Sequence, residues 1–218
     1  MRLAATVMLV RDGAAGLEVM MVRRSSKSPF APDAYVFPGG AVDPEDYDEG
    51  APGWHAAFVQ QFRAGVDEAL PSSEPPVSER DAAALVRAAV RELREEVAVD
   101  VPIDSLVLFS HWITPPTEPR RYNTHFFIAS VADNVHGVAD AVETHDAHWV
   151  APAQALARHE REEMHLIYPT VKHLERLASY KDVASVMAFA REKPILTIMP
   201  DRAPWEGFVL PEHLEHAW

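Results

Sequence analysis

The alternation of apolar and polar positions divides the chain into strand-rich stretches on either side of one long helix. Runs rich in apolar and β-branched residues predict strands at 3–11 and 17–24, joined by a glycine-containing loop. Between 79 and 97 the apolar positions recur three and four residues apart, and Ser78 stands where an N-cap is expected. The pattern therefore predicts a β-hairpin followed, after a variable stretch, by a helix over 79–97.

The rest of the chain predicts further strands and then mostly helix. Because the two kinds of element alternate irregularly, the pattern favours an α/β sandwich with a mixed sheet, and not a doubly wound parallel one. The predicted strands are 106–113, 121–131, 142–150 and a short one at 195–199; the predicted helices are 54–69, 152–163, 169–179 and 182–192, with a last turn at 212–217.

Composition narrows the class of protein. The chain has 218 residues and a formal net charge of −13, so most of its surface repels nucleic acid. It contains no cysteine, which excludes disulfides and thiolate chemistry. No apolar run approaches the length of a membrane span, and the run 3–10 lacks the cleavage region of a signal peptide. We expect one domain over 1–218, in the cytoplasm, with a mostly helical part at 152–218.

Three glutamates stand near the end of the predicted long helix. Glu92, Glu95 and Glu96 are spaced so that their carboxylates project from one helical face. Like charges on one turn repel, and Arg91 or a hard divalent cation could offset that repulsion. A solvated charged face is the simpler explanation, and the triplet alone favours it.

A second feature lies upstream, where a short apolar strand runs into Pro38, Gly39 and Gly40. Glycine has no Cβ, so the backbone here could approach a ligand or pack closely on a helix. A plain turn is the alternative, and two glycines alone do not decide between them.

Together, the segments 37–40 (Phe-Pro-Gly-Gly) and 91–96 (Arg-Glu-Leu-Arg-Glu-Glu) resemble a split Nudix box. That pattern is Gly, five residues, Glu, seven residues, then Arg-Glu-apolar-x-Glu-Glu-x-Gly. Here the part between the two halves is roughly 37 residues longer. Ala83 occupies the position, counted back from Arg91, at which the pattern has Glu, so Glu79, Glu45 or Asp46 could substitute for it in space. Ala98 replaces the final Gly, so the helix exit is expected to avoid a strict need for positive φ.

The resemblance implies a Nudix-type α/β/α sandwich with a mixed β-sheet, a helical insertion at 43–78 inside the box and a helical C-terminal extension. An interrupted box is similar to that of the coenzyme A diphosphatase branch. The segments 24–26, 112–115, 120–127 and 164–170 are also similar to that branch. The insertion could act as a lid or as a homodimer contact.

The resemblance also implies a metal-dependent site that binds Mg²⁺ or Mn²⁺. Its candidate residues form three sets. A surface role at a strand edge is the alternative for Arg23, Arg24, Arg121 and Glu143, which lie outside the box. The metal ligands are Glu92, Glu95, Glu96 and Gly40; the catalytic residues are Arg91, Glu92, Glu95 and Glu143; the substrate-binding residues are Arg23, Arg24, Phe37, Gly39 and Arg121. Arg120 is a further candidate for phosphate, and Trp112, Tyr122 and Phe127 for stacking an adenine, although strand aromatics more often pack in a core.

Three functions follow as hypotheses. The first is hydrolysis of coenzyme A or acyl-CoA to 3′,5′-ADP and (acyl-)phosphopantetheine. The second is a Nudix pyrophosphatase acting on nucleotide-sugars, dinucleotides or nucleoside triphosphates. The third is a non-catalytic nucleotide-binding module. All three expect a small nucleotide-type molecule as partner, with no nucleic acid and no membrane.

Overall fold

A computed structural model describes residues 1–28, 31–47, 77–139, 144–203, 207–214 and 218. Within them, an eight-stranded mixed sheet has helices on both faces. The sheet strands are β1 (Arg2–Gly13), β2 (Gly16–Arg24), β3 (Tyr35–Val36), β4 (Gly39–Ala41), β5 (Val107–Ile113), β6 (Tyr122–Ser130), β7 (Thr144–Val150) and β8 (Thr197–Ile198). The helices are α1 (Glu79–Val97), α2 (Pro152–Glu160), α3 (Tyr168–Leu177) and α4 (Val183–Glu192); β9 (Asp201–Ala203) and β10 (Gly207–Val209) form a separate hairpin, and 3₁₀ turns lie at Pro44–Tyr47, Ile103–Ser105 and Glu212–Leu214.

Strand β1 organises the sheet, whose order is β3-β2-β1-β6-β5-β8. It runs parallel to β6 along one edge and shares its other edge between two antiparallel partners. Its C-terminal half pairs with β2, while Ala5 opposes Gly40 of β4. This division of one edge brings the di-glycine strand beside the start of β1.

Each face of the sheet has its own hydrophobic core. Helix α1 covers one face, where Leu85 and Leu93 are buried with Phe127. The C-terminal helices cover the other face, where Phe126 and Ile128 are buried. Phe126 and Phe127 lie in different cores because consecutive side chains of a strand point to opposite faces of the sheet.

The two ends of α1 are closed by hydrogen bonds. Ser78 caps the N-terminus as predicted, its Oγ accepting the Asp81 N–H at 3.0 Å. At the other end Ala98 has φ 55° and ψ 35°, so the expectation that the exit avoids positive φ was wrong. The Ala98 N–H donates to the Arg94 carbonyl at 3.1 Å, and Val99 is buried beyond it. Those hydrogen bonds and that burial offset a conformational penalty of about 1–2 kcal/mol.

Several predicted elements change in extent. The predicted helix 152–163 ends at Glu160, since the chain turns through Glu162 with φ 60°. The predicted strand 195–199 shortens to Thr197–Ile198, and the hairpin after it was not predicted. The predicted helix 54–69, most of the insertion and the start of the predicted strand 142–150 lie outside the described residues. Of the helices in the described ranges, none is long and apolar enough to cross a membrane.

Candidate active site

The di-glycine strand packs directly on the glutamates of α1. The Gly39 N–H donates to Glu96 Oε2 at 2.8 Å. A Cβ at Gly40 would lie 2.2 Å from Glu92 Oε1, so a larger residue would collide with that carboxylate. Both glutamates are nearly buried, Glu92 being 8% and Glu96 5% exposed. Two segments that are distant in sequence therefore hold two carboxylates in place, as the split pattern predicts.

Arg91 binds the carboxylates around it. Its Nη1 donates to Glu92 Oε1 and to Glu95 Oε2, both at 2.9 Å. Its Nη2 donates to the Ala41 carbonyl at 3.1 Å. The hydrogen bond with Asp46, followed by the negative charges of Glu92 and Asp46, raises the pKa of Arg91 above its ordinary value, against the effect of burial. The guanidinium is thus a permanent cation that orients Glu92 and Glu95.

Asp46 supplies the acidic partner that the box lacks at Ala83. Arg91 Nε donates to Asp46 Oδ1 at 3.1 Å and Nη2 to Oδ2 at 2.9 Å. Asp46 is 3% exposed, whereas Glu45 and Glu79 are exposed. In the pattern five residues separate Gly from Glu, and five residues after Gly40 (41–45) are followed by Asp46. The forward spacing was therefore the signal for Asp46, which counting back from Arg91 does not give.

The three glutamates are not equivalent. The Glu95 side chain is 58% exposed and turned towards Arg91, whereas Glu92 and Glu96 lie against the di-glycine strand. In the described part of the chain, no three His, Asp or Glu side chains converge as a ready metal cage. The oxygen donors nevertheless suit a hard divalent cation, since carboxylate and carbonyl oxygens are the ligands that Mg²⁺ and Mn²⁺ prefer.

These residues form one wall of a cavity of about 870 Å³. Arg24, Phe37 and Gly39 line it, as expected of substrate-binding residues. Arg23 and Arg121 are absent from the lining among the described residues. Arg23 instead bonds Asp33, and Arg121 bonds the Thr114 carbonyl, at 2.9 Å each.

Of the other candidates for phosphate binding and base stacking, some line the cavity and one does not. Arg120, Trp112 and Tyr122 line the cavity, but Phe127 is buried in the core beneath α1 and is not placed to stack a base. Glu143 lies outside the described residues, so its role stays a prediction.

Two further parts of the chain line the cavity. The start of α3, at 168–170, belongs to the segment 164–170, which the sequence analysis singled out by resemblance but to which it gave no role. Phe208, from the C-terminal hairpin, belongs to a tail in which the sequence shows no site pattern.

Comparison with known proteins agrees with this geometry. The family model of the NUDIX domain matches residues 78–171. The putative nudix hydrolase 7 of Caenorhabditis elegans is 28% identical over 167 residues, which are 75% of this chain and 57% of that protein, so the chain spans little more than half of that relative.

Two solved structures share the fold. The NUDIX hydrolase of Alicyclobacillus acidocaldarius superposes with a TM-score of 0.65 at 24% identity, over 86% of this chain and 96% of that one. The NUDIX domain of Shewanella oneidensis NrtR, complexed with ADP ribose, gives 0.54 at 18% identity, over 82% and 87%. Residues 78–171 of this chain are therefore similar to the NUDIX domain family.

Proposed function

We propose that the protein is a metal-dependent hydrolase that splits a diphosphate linkage in a nucleoside diphosphate derivative. One observation carries the proposal: Glu92 and Glu96 are held, nearly buried, against Gly39 and Gly40 at the wall of a large cavity. Arg91 and the Gly39 N–H hold the two carboxylates in place, and both line the cavity, which favours their use as ligands for a cation.

The ligands proposed for Mg²⁺ or Mn²⁺ are Glu92, Glu95, Glu96 and the Gly40 carbonyl. Such a cation, when bound, neutralises phosphoryl charge and lowers the pKa of a coordinated water. Arg91 keeps Glu92 and Glu95 oriented without itself titrating. Glu92, Glu95 and Glu143 all remain candidates for the base.

A cationic rim lies beside this centre. Arg24 and Lys27 line the cavity together with Ser25 and Ser28. Arg24 Nη2 donates to Ser28 Oγ at 2.7 Å, which fixes the rim around the loop after β2. Guanidinium, ammonium and hydroxyl groups donate hydrogen bonds to phosphate oxygens. This rim is therefore suited to bind a second anionic group of the substrate, next to the diphosphate that is split.

For the substrate we propose coenzyme A or acyl-CoA, cleaved to 3′,5′-ADP and (acyl-)phosphopantetheine. The interrupted box and the rim segment at 24–26 support that choice. A nucleotide-sugar is the second candidate, because the NrtR domain of similar fold is complexed with ADP ribose. A homodimer and a cytoplasmic location remain predictions of the sequence.

Turnover of a substrate panel tests the proposal. The full chain is assayed with Mg²⁺ and with Mn²⁺ against CoA, acetyl-CoA, ADP-ribose, a dinucleoside polyphosphate and a nucleoside triphosphate, with identification of products. We expect cation-dependent release of 3′,5′-ADP from CoA, abolished by EDTA and reduced at least about 100-fold by Glu96→Gln. Glu160→Gln, on an exposed helix end, is the matched control and should leave the rate unchanged.

The outcomes separate the hypotheses. Turnover of another diphosphate with CoA untouched overturns the substrate but keeps the reaction class. Tight nucleotide binding without cation-dependent turnover of any panel member favours the non-catalytic module instead.

A further inference from the structure

The residues that line the cavity differ between the β3 edge of the sheet and the β8 edge. Beside β2 and β3 it is lined by the cationic rim, and at its centre by the di-glycine strand and the glutamates. Beyond β6, on the side of β5 and β8, Trp112, Tyr168, Phe208 and Pro200 line the cavity, next to Glu118 and Arg120 of the β5–β6 loop. We call the three aromatic residues Trp112, Tyr168 and Phe208 the aromatic wall.

The aromatic wall is a continuous surface. The ring centroids of Trp112 and Tyr168 are 6.3 Å apart, and those of Tyr168 and Phe208 are 6.0 Å apart. These rings touch one another, so no flat base fits between them. A ligand must instead lie along Tyr168 and Phe208, which are partly exposed, while Trp112, only 3% exposed, supports them from behind.

A buried relay fixes the wall from behind. Trp112 Nε1 donates to Ser110 Oγ at 3.2 Å, and Ser110 Oγ lies 2.6 Å from His173 Nε2. His173 Nδ1 lies 2.6 Å from the Pro169 carbonyl. Burial lowers the pKa of His173 to about 3, so the ring is neutral at pH 7. In that state Nδ1–H donates to the Pro169 carbonyl and Nε2 accepts the Ser110 proton, which satisfies all three contacts. The relay ties Trp112 to the turn that carries Tyr168, so the wall is preorganised.

Polar groups near the wall already have partners. Arg202 Nη1 bonds Glu118 Oε1 at 2.9 Å, which anchors the C-terminal hairpin to the β5–β6 loop. The Thr114 Oγ1 accepts the Tyr122 N–H at 3.1 Å. Reading the edge of a base requires uncommitted donors and acceptors, whereas apolar contact requires only area. The wall therefore favours an apolar group over a hydrogen-bonding one.

We propose that the aromatic wall binds an uncharged apolar chain carried by the substrate, and that Phe208 sets the selectivity for it. The inference rests on the proposed diphosphate hydrolysis. Two to three strand spacings separate β1 from β5 and β8, so the chain must reach roughly 10–14 Å from the diphosphate. Phe208 lies outside the segment matched by the family model, so this selectivity belongs to the C-terminal hairpin.

A homologous series of ligands tests the wall apart from catalysis. Methyl, hexyl and dodecyl β-esters of adenosine 5′-diphosphate are titrated calorimetrically into the full chain in EDTA, and kcat/KM is then measured with Mg²⁺. We expect the dodecyl ester to bind at least about tenfold tighter than the methyl ester, because each buried methylene contributes up to about fourfold.

Variants assign the effect to Phe208. The dodecyl advantage is the ratio of the affinity for the dodecyl ester to that for the methyl ester. Phe208→Ala should remove most of this advantage while leaving the affinity for the methyl ester within about twofold. Phe208→Leu should keep part of the advantage. Val209→Ala is the matched control, since the neighbouring residue on the same strand is absent from the cavity lining among the described residues and should change nothing.

Equal binding of the methyl and dodecyl esters overturns the subsite, even if both are hydrolysed. A dodecyl advantage that survives Phe208→Ala overturns the assignment to Phe208. Absence of turnover combined with a Phe208-dependent dodecyl advantage contradicts only the proposed hydrolysis.

Discussion

Asp46 and Arg91, 45 positions apart in the chain, face each other through two hydrogen bonds of 3.1 and 2.9 Å. The contact is bidentate and almost closed to solvent on the aspartate side. It fixes the guanidinium that orients Glu92 and Glu95, so the acidic turn after β4 is part of the site.

Removing the charge of Asp46 should damage both fold and activity. Asp46→Asn leaves Arg91 without its principal counter-ion, and breaking a buried ion pair reduces the free energy of unfolding by about 3 kcal/mol or more. We expect urea denaturation to show that loss. We also expect a reduced rate of diphosphate hydrolysis at temperatures at which the variant is folded. Arg94→Ala removes an exposed pair with Asp100 and is the control. Equal stability of the two variants would contradict the role of Asp46.

The di-glycine strand should tolerate no side chain at position 40. In Gly40→Ala the new Cβ would meet Glu92 Oε1 at 2.2 Å, so the carboxylate must move. We expect the rate of diphosphate hydrolysis to fall at least about 100-fold, since a displacement of 1 Å in a site has effects of that order. Circular dichroism should show a folded protein. Wild-type activity in this variant would mean that the position of Glu92 is unimportant.

How far the sequence predicts the site depends on whether a feature is periodic or local. The helical spacing of Glu92, Glu95 and Glu96 predicts that they share one face of the helix. It cannot show that the Glu95 side chain is exposed and bonded to Arg91. Neighbouring arginines on a strand point to opposite faces, so the pair at 23–24 contains one cavity residue, and the sequence does not say which. Arg24 lines the cavity and Arg23 does not, among the described residues.

Features that depend on distant contacts were harder to predict. The left-handed residue Ala98 is invisible to a propensity argument, because its conformation is imposed by the hydrogen bonds and burial that close α1. Phe208 reaches the cavity because a salt bridge anchors its hairpin, and no periodic pattern marks such a contact. The mixed sheet between helices, in contrast, follows from the order of the elements along the chain and was predicted.

Three buried histidines should make the fold sensitive to acid. Burial lowers the pKa of His173 to about 3 and that of His111 to about 4, and it lowers the pKa of His125 well below 6.5. In the unfolded chain each takes up a proton near pH 6.5, so below that pH the unfolded state binds more protons. Stability is therefore complete above pH 6.5 and falls as the pH drops towards 4, by up to about 1.4 kcal/mol per pH unit for each histidine.

Denaturation at pH 7.5 and pH 5.0 measures this dependence. His173→Gln should lower stability at both pH values and make the decrease between them smaller by one histidine's contribution. His165→Gln, at an exposed position, should leave the decrease unchanged. A decrease that is identical in all three proteins would show that His173 is not kept neutral by the fold.

A substitution at Ala98, the residue after the last turn of α1, should stabilise the fold. Ala98→Gly removes the penalty of a left-handed alanine, and we expect the free energy of unfolding to rise by up to about 1 kcal/mol. Ala178→Gly is the control, because Ala178 ends α3 in the right-handed region and gains nothing from glycine. A lower midpoint for Ala98→Gly in thermal denaturation would contradict the reasoning.

The described residues on the two sides of the segment 48–76 lie close together. Tyr47 Oη donates to Asp81 Oδ1 at 3.0 Å, and Arg87 Nη1 donates to the Asp46 carbonyl at 2.9 Å, so both ends are fastened to the first turns of α1. The entropy of closing a loop changes slowly with its length. The contact of Asp46 and Tyr47 with α1 should therefore depend little on how many residues separate position 47 from position 77.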